Sequence, residues 1–65
     1  MCEASAYLIK DGKETLVLES VDILEPLDES GFMLKNIFGD QKIIKARILR
    51  MELVSHKILF SEDTP

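Results

Sequence analysis

The stretch Cys2-Glu3-Ala4-Ser5-Ala6-Tyr7-Leu8-Ile9-Lys10-Asp11-Gly12-Lys13-Glu14-Thr15-Leu16-Val17-Leu18-Glu19-Ser20-Val21 decides the fold. Cys2, Ala4, Ala6 and Leu8 share one face of a period-two pattern, with Glu3, Ser5, Tyr7 and Ile9 on the other. That alternation belongs to a strand and not to a helix. Asp11-Gly12 then supplies the positive φ angles that a type I′ turn requires, so residues 2–9 and 14–21 are predicted to pair as a hairpin. On the return strand Leu16 and Leu18 are expected on one face, with Thr15, Val17 and Glu19 opposite.

Working outward, residues 22–26 continue as extended chain, and Pro26, which cannot donate to a ladder, marks an edge or a strand end. Asp28-Glu29-Ser30-Gly31 has turn composition. Residues 32–38 read as a strand with Phe32, Leu34 and Asn36 on one face, and Gly39-Asp40 as a reversal. Residues 41–49 follow, with Lys45 and Arg47 on the face of Ile43, and Ile44, Ala46 and Ile48 on the opposite one. A short strand at 51–54, a turn at 55–57 and a last strand at 58–61 complete the pattern, and residues 62–65 are expected to fray. A helical stripe of Ile44, Ile48 and Met51 also fits residues 42–53. The β-branched residues and the regular spacing of short strands favour strands there. The predicted fold class is all-β, a small antiparallel β-sandwich or barrel of about six short strands.

At 65 residues the chain is expected to form a single domain, residues 1–65. Domains of this size bury a modest fraction of their surface and are marginal alone. The one cysteine rules out an internal disulfide, so dimerisation or a bound metal remains as an aid, and a homodimer is expected. A net charge of −4 sets twelve acidic against eight basic residues, which argues against nucleic acid as a partner. The start of the chain has an acid where a signal peptide carries basic residues. No apolar run approaches the roughly 20 residues of a membrane span. The expected location is cytoplasmic, where a thiol stays reduced.

Chemistry concentrates at Cys2. If Met1 is removed, the Cys2 amine and thiolate close a tight chelate ring, and two protomers offer two nitrogens and two sulfurs. If Met1 stays, its amine, the Cys2 amide and the thiolate can bind in sequence. Nitrogen and sulfur donors in a plane suit Ni(II), while thiolate alone also suits Zn(II) and Cu(I). Such a site lies at an exposed chain end, suited to passing an ion on. The competing reading makes Cys2 a small hydrophobe packed beside Ala4 and Ala6. His56, the only histidine, falls in a turn far along the chain and is read as an exposed turn residue. Glu25, Asp28 and Glu29 are acidic neighbours without the spacing of a calcium loop. Lys42, Lys45, Arg47 and Arg50 form a basic segment that supports an alternative, a small RNA-binding β-module. Gly-rich phosphate loops and nucleophile triads are absent from the sequence, so no enzymatic activity is expected.

The opening Met1-Cys2-Glu3-Ala4, the hairpin around Asp11-Gly12, the run Asn36-Ile37-Phe38-Gly39-Asp40-Gln41-Lys42, Ala46-Arg47-Ile48 and the closing His56-Lys57-Ile58 together resemble the CooT family. These are small proteins associated with maturation of nickel-containing carbon monoxide dehydrogenase, also labelled on computational grounds as RNA-binding. The resemblance covers nearly the whole chain. It implies an all-β homodimeric metallochaperone that binds Ni(II), one or two ions per dimer, through Cys2. The implied partners are a nickel metalloenzyme or its maturation factors. Hydrogenase maturation chaperones of the HypC type also start with Met-Cys, but carry a proline soon after it, where this chain has Ser5-Ala6-Tyr7.

Overall fold

The structure, a computed structural model, describes residues 4–28 and 30–62. Those residues form six strands: β1 (Ala4–Lys10), β2 (Lys13–Pro26), β3 (Phe32–Asn36), β4 (Gln41–Ile44), β5 (Ala46–Glu52) and β6 (Lys57–Glu62). The expected all-β class holds, and residues 42–53 carry no helix. The Asp11-Gly12 hairpin forms as read, with φ of 54° and 78° at its two corner residues and Lys10 opposite Lys13. Among the described residues no helix is long and apolar enough to cross a membrane.

The strands lie in one sheet in the order β4-β3-β2-β1-β6-β5. Four neighbour pairs are antiparallel, and β1 with β6 is parallel. Two observations show that the sheet curls. In a flat sheet three strand spacings of about 4.8 Å would hold β3 about 14 Å from β6, yet the Phe32 and Phe60 ring centroids are 5.5 Å apart. In addition, β4 and β5 stand at opposite ends of the order, while Lys45 alone separates them in sequence. The two edges therefore meet at this corner. Gly31 underlies it with φ +111°, where a Cβ would overlap the carbonyl oxygen of Ile44 and sit 3.3 Å from Lys45 Cα. Only glycine suits that backbone angle and that approach.

The enclosed face is the core. Ala6, Leu18, Val21, Leu34, Ala46 and Phe60 are buried there, and Ile44 packs against them from β4. Leu34 and Asn36, expected to share a face with Phe32, are both buried, so that face is the inward one.

Three features differ from the sequence reading. The return strand does not stop at Val21 but runs 14 residues to Pro26. Its register slips so that Ala6 faces Leu18 and Tyr7 faces Leu16. The bulge at Val17 turns Leu16 outward (52% exposed) while Leu18 stays buried (7%), so the two leucines do not share a face. The stretch 41–49 is two strands broken at Lys45, and the predicted short strand at 51–54 is the end of β5 followed by a turn. Lys45 and Arg47 therefore do not lie on one face of one strand.

Candidate metal centre at the start of β1

Parallel pairing governs this region. Two parallel neighbours begin at the same end of the sheet, so the start of β1 lies beside the start of β6. Ser5 faces Lys57 and Ala6 faces Ile58. The β5–β6 turn, Leu53-Val54-Ser55-His56, immediately precedes β6. The Ser5 amide donates to the His56 carbonyl at 2.9 Å, and the His56 amide donates to the Leu53 carbonyl at 3.4 Å. His56 holds φ 58°, a left-handed corner that closes the turn.

Cys2 lies outside the described residues. It precedes Ala4, the first residue of β1, by two positions in the sequence. Ala4 lines a cleft of about 310 Å³ together with Met51, Leu53, His56 and Ile58. His56 is the exposed turn residue that the sequence reading expected, and it lies at the same end of the molecule as Ala4. Sequence spacing could not reveal this, because alternation predicts a strand but not the direction of its neighbour.

The charges around the cleft are arranged to leave it apolar. Lys57 directs its ammonium to Glu14 Oε1 at 3.2 Å and over the Tyr7 ring, 5.2 Å from its centroid. Glu52 takes Arg50 Nε at 2.8 Å. Beside the cleft the turn exposes a run of apolar side chains: Met51 is 52% exposed, Leu53 78% and Val54 95%. Contiguous apolar surface of this kind marks a contact site more often than a chance exposure.

The other candidates fare differently. Lys42 sits on β4, Lys45 in the corner, and Arg47 and Arg50 on β5, so the basic segment bends around an edge, and Arg50 already pairs with Glu52. Glu25 and Asp28 are exposed, and Glu29 lies outside the described residues. Among the described residues no three His, Cys, Asp or Glu side chains converge as a metal cluster.

Comparison with known proteins gives a consistent answer. Residues 1–61 match the family model of CooT, described as a CO dehydrogenase accessory protein. A crystal structure assigned as CooT from Carboxydothermus hydrogenoformans is 51% identical, covering 97% of this chain and 100% of that one, with a TM-score of 0.88. No curated protein matches the chain significantly.

Proposed function

The chain belongs to the CooT family of carbon monoxide dehydrogenase accessory proteins, and from that premise we propose that it is a cytoplasmic nickel carrier that binds Ni(II) through Cys2 as a homodimer and supplies it during assembly of that enzyme. The observation that carries the reading is the meeting of three things at one end of the fold. These are the start of β1, the cleft shared by Ala4 and His56, and the exposed apolar turn at Leu53 and Val54.

Each part has a chemical use. The thiolate of Cys2 and backbone nitrogen at the chain start supply soft, planar donors suited to Ni(II). The His56 imidazole is a further nitrogen donor that suits nickel equally well. The bare turn offers apolar area for a second copy, which brings a second set of terminal donors near the first. An accessory role also favours a carrier over a catalyst, since a carrier requires an ion held at an accessible end and released there.

Calorimetric titration with Ni(II) tests the proposal. Cys2→Ser should abolish tight binding and leave the melting curve unchanged. His56→Ala should weaken binding by roughly tenfold, as loss of a supporting metal contact typically does. Unaltered nickel binding by Cys2→Ser would refute the assignment.

A further inference from the structure

The turn between β3 and β4, Asn36-Ile37-Phe38-Gly39-Asp40, has no part in the nickel reading. It is nevertheless the most completely bonded loop among the described residues. All five of its backbone amides donate. Asn36 N donates to Asp40 O at 3.0 Å, Ile37 N to Ser20 O at 3.0 Å and Gly39 N to Asn36 O at 3.1 Å. The buried Asn36 side chain completes the set, its Oδ1 accepting from Phe38 N at 3.0 Å and from Asp40 N at 2.8 Å. Its Nδ2 reaches Asp40 Oδ2 at 3.3 Å.

This fixed frame holds two large apolar side chains in water. Ile37 is 54% exposed and Phe38 70% exposed. Neither side chain takes part in the hydrogen bonds, so a polar residue at either position would satisfy the turn equally well. Their apolarity contributes little to folding and carries a cost in water. Single exposed apolar residues need no explanation, but two adjacent ones on a rigid projection do. Carboxylates outnumber ammonium groups in the flanking sequence: Asp40 within the turn, and Glu19 and Asp22 on either side of the Ser20–Val21 segment that anchors Ile37, against Lys35 of β3 and Lys42 of β4.

We propose that this turn is a preformed docking knob, with Phe38 as its anchor, that seats in an apolar pocket with a cationic rim on carbon monoxide dehydrogenase. The choice of partner rests on the accessory-protein reading above; the knob itself rests on the bonding and exposure of the turn. A loop already locked in one shape loses little entropy on binding, and an aromatic side chain is the commonest kind of interface anchor. The carboxylates around it select a basic rim and speed encounter. They also disfavour a membrane, whose anionic headgroups would repel them. The knob lies between β3 and β4, whereas Leu53 and Val54 lie between β5 and β6, so the two exposed apolar pairs belong to different turns.

The test measures binding of the full chain to purified nickel-free carbon monoxide dehydrogenase by biolayer interferometry. Phe38→Glu should weaken binding at least about tenfold, the usual effect of losing an anchor, with melting temperature, nickel titration and oligomeric state unchanged. The pair Glu19→Gln with Asp22→Asn should slow association and flatten its salt dependence. Phe38→Glu binding within twofold of the unaltered chain overturns the knob and leaves the carrier reading standing. Failure of the unaltered chain to bind the enzyme overturns both. Loss of dimer in Phe38→Glu, or Phe38-dependent binding to phosphatidylcholine–phosphatidylglycerol vesicles, overturns it in favour of self-association or a membrane.

Discussion

Removing the Asn36 side chain is the sharpest probe of the β3–β4 turn. Asn36 is 4% exposed, and its Oδ1 serves two backbone amides at 3.0 and 2.8 Å. Each such bond is worth about 0.5–1.5 kcal/mol net. Asn36→Ala should therefore cost about 1–3 kcal/mol. The third contact, to the exposed Asp40 carboxylate at 3.3 Å, adds little. A chain of 65 residues is held by only about 3–10 kcal/mol in total, so a loss near 2 kcal/mol is large. It corresponds to about 8–16 °C in melting temperature for a domain of this size. Far-ultraviolet circular dichroism gives the melt. Native-state hydrogen exchange shows where the loss arises, with the Phe38 and Asp40 amides losing protection before the strands do. Asp40→Asn, which keeps both bonds to Oδ1, should change stability by no more than about 0.5 kcal/mol. A melting shift under about 4 °C for Asn36→Ala, or undiminished protection at those two amides, would show that the turn is held by something other than its asparagine.

Two further outcomes follow from other parts of the molecule. Gly31→Ala puts a Cβ into the Ile44 carbonyl at a φ of +111°, so it should destabilise by about 2–4 kcal/mol through strain and backbone displacement; a denaturant midpoint equal to that of the unaltered chain would mean that the β4–β5 corner can shift at no cost. The proposed nickel site needs the thiolate of Cys2, and a free thiol titrates near pH 8.5; the affinity should fall about eightfold per thiolate from pH 8 to pH 7, and a flat profile by calorimetry would exclude thiolate ligation.

Parts of this fold were legible because the residues carry direct physical signals. Asp11-Gly12 declares its turn through backbone freedom, and Phe32, Leu34 and Asn36 declare their common face through alternation. Other parts carry no local signal. The bulge at Val17 exchanges the face of Leu16 without any glycine or proline to mark it. The break at Lys45 falls inside the run Ile43-Ile44-Lys45-Ala46-Arg47-Ile48, which reads as one strand because both halves alternate correctly. The common face expected for Ile44, Ala46 and Ile48 survives the corner, since all three pack on the core. The parallel pairing of β1 with β6 is illegible for a deeper reason. Period two records which side of a sheet a residue faces and nothing about the direction of the next strand. For the same reason His56 looked remote, when it lies beside the residues that follow Cys2.

That pairing also explains why a chain so short can hold a candidate site at all. Had β1 and β6 been antiparallel, the start of β1 would abut the end of β6, and Ala4 would lie near Glu62 instead of His56. The parallel arrangement places the start of β1 against a turn that is apolar, exposed and fixed by the amide-to-carbonyl bonds of Ser5 and His56. Ala4 and His56, separated by more than 50 residues of sequence, are thereby brought to one cleft without a long loop, whose closure would cost entropy that a small core cannot easily offset. The curl of the sheet completes the division of labour. It commits the inner side chains of every strand to one core, so recognition falls to the chain start and the turns, where stability is least at risk. Of those, Leu53-Val54 between β5 and β6 and Ile37-Phe38 between β3 and β4 carry exposed adjacent apolar pairs.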